Sequence, residues 1–146
     1  MSSRRTFIRN FDYEEFDCPR SKGSGQRHMD RELLLMLDEA QNKYPHKMKI
    51  VRGYVTPQYA REISIPTHSP HMLGKAVCIF AKNPKRRFFL IAALLEVGFT
   101  RFLVGPDYVY VDNDELKPTM FTSGRSVLCI ARLTESHGFK TRVSFR

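Results

Sequence analysis

The chain has 146 residues, 42% of them hydrophobic with 11 Phe and 6 Tyr, which is enough for one buried core and too little for two. No apolar run approaches the roughly 18 residues of a membrane span, and Met1-Ser2-Ser3-Arg4-Arg5 leads into polar residues, so neither a membrane protein nor a signal peptide is expected. The net charge of +9 sits at the ends: residues 1–10 hold three Arg and no acid, residues 123–146 five basic residues and one acid, and the remainder 16 basic against 14 acidic.

Phe11, Tyr13, Glu15 and Phe16 open the ordered region, and Arg20 to Arg27, polar and glycine-rich, reads as a loop. From Asp30 to Tyr44 the apolar positions Leu33, Met36, Leu37, Ala40 and Tyr44 recur every three or four residues and predict a core-facing helix closed by Pro45. Lys49-Ile50-Val51 is a short strand ending at Gly53. Thr56 and Pro57 then supply an N-cap and a first-turn proline for a helix to about Ile63. Pro66 and Pro70 forbid its continuation, so the following His71 opens on a rigid loop.

Lys75 to Ala81 predicts a buried strand, and Asn83-Pro84 caps a helix whose core face is read as Phe88, Ile91, Ala92 and Leu95, ended by Gly98. Phe102-Leu103-Val104 and Tyr108 to Val111 flank Gly105-Pro106-Asp107 as a hairpin, which would set Asp107 and Tyr110 near a sheet edge. After a polar loop from Asp112 to Pro118, residues 127–133 and 139–145 predict a strand pair, the second with Lys140, Arg142 and Arg146 on its outer face. Cys18, Cys78 and Cys129 are odd in number and widely spaced, which argues against a disulfide framework and for a reducing cytoplasm.

Phe11 to Phe16 spells Phe-x-x-x-Glu-Phe, Gly53-Tyr54 forms a turn, and His71-x-x-Gly74-x-Ala76 is followed by Gly98-Phe99 and by Asp107-x-x-x-Val111-Asp112. In that order, over about residues 11–122, these elements resemble the zinc peptidases of bacterial cell walls, the D-Ala-D-Ala carboxypeptidases and related phage endolysins. The family pattern is His-x-x-Gly-x-Ala-x-Asp and then Asp-x-x-His-x-Asp. The resemblance implies zinc held at positions 71, 78 and 110, with Asp107 as general base, and an Arg at 55 facing substrate. This chain keeps His71 and Asp107 but has Cys78 and Tyr110 at the other two ligand positions, Val55 for the Arg and Ala60 for an Asn.

Zinc hydrolysis needs three protein ligands and an open position for water. Tyrosine is a poor third ligand because its phenol must lose a proton of pKa about 10. Cys78 with His71, helped by His68, is the alternative half-site, and Cys78 with His71 is also readable as a nucleophile and base, although burial would oppose a thiolate. Asp107, Asp112 and Asp114 are a further candidate set for a hard cation such as calcium, against which stands their use as turn formers.

The expected fold is α+β, a small antiparallel sheet with helices packed on one side, as in the hedgehog/DD-peptidase fold. A basic arm (1–10) would precede the domain (11–122), and a basic β-hairpin extension (123–146) would pack on it. The expected function is that of a non-catalytic peptidase-like protein of a phage or virus, made in the host cytoplasm and used in the virion or its assembly. No cofactor is expected, and His71, Asp107, Tyr54 and Ser69 remain as a residual groove. Partners would be virion proteins or nucleic acid met by the termini, or peptidoglycan in the groove, and no membrane. The alternative is an active zinc cell-wall peptidase with an altered metal site.

Overall fold

The computed structural model describes residues 8–66, 68–114 and 118–124. Helices α1 (Ser24–His28), α2 (Arg31–Lys43), α3 (Pro57–Glu62) and α4 (Pro84–Glu96) alternate with strands β1 (Ile50–Arg52), β2 (Ala76–Phe80), β3 (Arg101–Val104), β4 (Tyr108–Asp112) and β5 (Thr119–Thr122). Single 3-10 turns lie at Tyr13–Phe16 and Pro70–Leu73. The class is α+β, and the described residues form a five-stranded sheet in the order β1-β2-β4-β3-β5. The first four strands pair antiparallel, as expected, but β5 lies parallel to β3, so the sheet is mixed.

The local signals explain most of these elements. Asp30, Thr56 and Asn83 each accept a backbone N–H of the first turn of α2, α3 and α4, and proline opens the last two. In α2, Leu33, Leu34, Leu37 and Ala40 are buried with Met36 packed against them, which is the expected stripe. Gly98, at φ 108°, takes the left-handed conformation that stops α4. The hairpin pairs Val104 with Val109 and Arg101 with Asp112, and Gly105 N–H donates to the Tyr108 carbonyl at 2.9 Å to close it.

Alternation then divides the sheet into two faces. Val77, Ile79, Phe102, Val109 and Val111 join α2, α4 and Phe16 in the main core. At roughly 1.5–3 kcal/mol for each fully buried large apolar side chain, this cluster is the main source of stability. Cys78, Tyr108 and Tyr110 point to the opposite face, with Leu103 and Val51 beside them.

Several expectations are corrected. Residues 24–28 are helical, because the Asp17 carboxylate accepts the N–H groups of Gly23 and Gly25 at 2.8 and 2.7 Å and so holds the entry to α1. Asp107 and Tyr110 are not at a sheet edge: β4 is the central strand, paired on both sides. The core face of α4 is Leu90, Ala93 and Leu94, with Ile91 packed against the core as expected, while Phe88, Ala92 and Leu95 are exposed. Residues 8–10, expected in the basic arm, are held to the domain: Ile8 is buried and the N–H groups of Arg9 and Asn10 donate to Asp38 of α2. Residues 1–7, Cys129 and the strand pair expected over 127–145 lie outside the described residues.

Candidate functional site

The box around His71 is built by a turn that only certain residues permit. Ser69 caps it, its Oγ accepting the His71 N–H at 3.3 Å, and Pro70 fixes the first position of the 3-10 turn. Gly74 ends the turn at φ 70°, and a Cβ built there would collide with the His28 carbonyl. Its carbonyl in turn accepts Asp30 N–H at 2.9 Å, tying the box to the start of α2. The glycine of the motif is therefore required by packing, whatever the chemistry nearby.

This turn inserts His71 beneath the second face of the sheet, where it is only 4% exposed. Its Nδ1 lies 2.8 Å from the Gly53 carbonyl, which can only accept, so Nδ1 carries the proton of the neutral ring. Nε2 is left as an acceptor 3.7 Å from Cys78 Sγ, and the thiol donates to it. Cys78 faces Tyr110 directly across the β2–β4 ladder, and the His71 and Tyr110 rings meet edge to face at 5.4 Å. The three positions expected from sequence to share a metal thus share one point in space.

The neutral imidazole, with Nε2 free of a proton, is in the form that binds zinc, but the thiol and the phenol are not. Burial, and then the Arg52 charge, lowers the His71 pKa to about 3, with the Gly53 and Ala76 carbonyls pulling the other way. Burial pushes the Cys78 thiol up to about 11, only partly offset by Arg52. Tyr110 is also raised, first by burial and then because its hydroxyl donates to Asp112 Oδ2 at 2.6 Å. A metal would have to remove the thiol and phenol protons and break that hydrogen bond. The same burial opposes reading Cys78 as a nucleophile, since the thiol stays protonated at neutral pH.

Asp112 is the charged centre beneath this cluster, its side chain 0% exposed. It accepts Arg101 Nε at 2.8 Å, the Tyr110 hydroxyl and the Asp114 N–H at 3.2 Å. The sequence reading missed this Arg101–Asp112–Tyr110 network, although the hairpin register through Val104 and Val109 predicts the Arg101–Asp112 pairing. It also missed Arg52, which sits opposite Cys78 across the β1–β2 ladder.

The remaining candidates are dispersed. Asp107 lies half-buried in the turn just before β4; burial raises the Tyr108 pKa, and the Asp107 charge adds a smaller push in the same direction. Asp107 and Asp112 stand at opposite ends of β4, about 16 Å apart at 3.3 Å per residue, so they cannot share one cation. Val55 is fully buried and its N–H donates to the His71 carbonyl at 3.2 Å, while Tyr54, 9% exposed, stacks on His28 at 4.5 Å. His68 is exposed on the preceding loop. Among the described residues, no group of three or more His, Cys, Asp or Glu side chains is placed to hold a metal, and no helix is long and apolar enough to cross a membrane. Cys18 and Cys78 are both free and buried.

Comparison of the chain with protein-family models, with curated proteins and with solved structures finds no match.

Proposed function

We propose that this chain is a non-catalytic protein on the scaffold of the zinc cell-wall peptidases, serving as a structural or binding component of a phage or related virus. The observation that carries this reading is the convergence of His71, Cys78 and Tyr110 at one buried point, each in its neutral form. Three ligand positions that meet in space, two of them filled by a protonated thiol and a phenol that a metal would have to deprotonate, fit a metal site whose chemistry has been lost. Val55 supports the same reading, because a buried apolar side chain cannot steady a carboxylate or an oxyanion. Function then falls to the surface and to the basic ends of the chain, which suit acidic virion proteins or packaged nucleic acid with salt-dependent affinity.

One observation favours the alternative of an active zinc peptidase with an altered site: a thiol and an imidazole already stand 3.7 Å apart. Metal analysis of protein purified without chelator, followed by a turbidity assay on bacterial cell walls, separates the two. The non-catalytic reading expects substoichiometric zinc and no clearing. Stoichiometric zinc together with lysis would establish the enzyme.

A further inference from the structure

Helix α4 carries a second apolar face that the described residues leave exposed. Leu90, Ala93 and Leu94 face the core, yet Phe88, Phe89 and Leu95 are 67%, 46% and 49% exposed. At 100° per residue, Lys85, Phe88, Phe89, Ala92, Leu95 and Glu96 fall within about 120° of one another. The outward face therefore reads cation, aromatic pair, small residue, leucine, carboxylate from one end to the other.

The charges on α4 also run against its dipole. Its first turn holds Lys85, Arg86 and Arg87 and no acid, and its last turn holds no base. Cations at the positive end of a helix and a carboxylate at the negative end are both unfavourable. Arg87 finds acceptors in the Gly105 and Pro106 carbonyls, and Glu96 pairs with Lys43 while its side chain stays 63% exposed. Lys85 makes no ion pair among the described residues.

From this self-complementary order we propose that α4 is a homodimer surface, docking on α4 of a second copy in antiparallel fashion about a two-fold axis near Ala92. Phe88 then meets Leu95 of the second copy, the small Ala92 lets the two axes approach to about 8–10 Å, and Lys85 lies toward Glu96 and the negative end of the facing helix dipole. Each helix thus receives opposite charge at both ends. An anionic lipid surface or an acidic peptide would suit Lys85 but would set negative charge against Glu96 and the helix C-terminus. One helix face is smaller than the roughly 800 Å² per partner of a standard interface, and the chain carries +9, so a concentration-dependent dimer in the range of about 10–500 μM is expected.

Sedimentation equilibrium of the full chain from about 10 μM to 1 mM, at 0.15 M salt where charges beyond about 8 Å are screened, tests this. The wild-type chain should pass from monomer to dimer across that range. Phe88→Glu, at an exposed position, should keep its circular dichroism and weaken the dimer at least tenfold. Lys85→Glu and Glu96→Lys should each weaken self-association, and an equimolar mixture of the two should recover it as a heterodimer. A monomer at 1 mM, a dimer indifferent to Phe88→Glu, or no recovery on mixing would overturn the proposal. So would a monomeric chain that binds anionic phosphatidylserine vesicles through Phe88, which would assign the face to a lipid surface.

Discussion

At the residue scale, the buried imidazole makes a prediction whose sign follows from its surroundings. His71 has a folded pKa of about 3 against 6.5 for an unperturbed histidine, so between those values the unfolded chain binds a proton that the folded chain does not. Stability from this group is complete above about pH 6.5 and falls as pH drops toward 3, by about 1.4 kcal/mol per pH unit within the window. Urea unfolding between pH 7 and pH 4 should show this slope, and His71→Gln should flatten it relative to wild type. Tyr110→Phe should cost about 1–2 kcal/mol, because it deletes one of three donors to a buried carboxylate. Equal urea midpoints for the variant and wild type would remove Asp112 from the account of how the site is held. The spacing of residues 71, 78 and 110 was legible in the sequence because the motif spans one turn and two strands. The protonation states were not, since they depend on burial and on Arg52, which reaches the site across a ladder.

At the element scale, short-range chemistry was readable and long-range phase was not. Asp30, Thr56-Pro57 and Asn83-Pro84 mark helix starts because a cap is a contact between residues two or three apart. Helix α4 is apolar from Phe88 to Leu95 without a break, so periodicity offers several stripes and tertiary packing selects among them. That is why its core face is Leu90, Ala93 and Leu94. Strand β5 is illegible for a related reason: Thr119–Thr122 is four residues long and, among the described residues, pairs with β3 in parallel and without a hairpin. The central place of β4 likewise depends on its distant pairing with β2. The motif glycine gives the test that belongs here. Gly74→Ala should cost at least about 2 kcal/mol in urea unfolding, since it adds a clash with the His28 carbonyl to a left-handed φ. A near-neutral result would mean that the box does not need its glycine for packing.

At the scale of the whole molecule, helices α2 and α4 lie over one face of the sheet and the His71 cluster over the other, so residues of the cluster can change without disturbing the main core. On the proposed reading, this separation lets Cys78 and Tyr110 occupy former ligand positions while the box around them keeps its shape. The same reading makes the loss reversible. A histidine at 110 would find Asp112 beneath it as an orienting carboxylate, the arrangement that metal-binding imidazoles commonly use. The most direct measurement is therefore zinc binding by the double variant Cys78→Asp/Tyr110→His beside the wild-type chain, followed by titration calorimetry and by thermal unfolding with and without zinc. The double variant should bind one zinc per chain and gain thermal stability from it, with no such gain in the wild type. A double variant that folds and takes up no zinc, or a wild-type chain that binds zinc one to one, would contradict the reading of this cluster as a dismantled metal site.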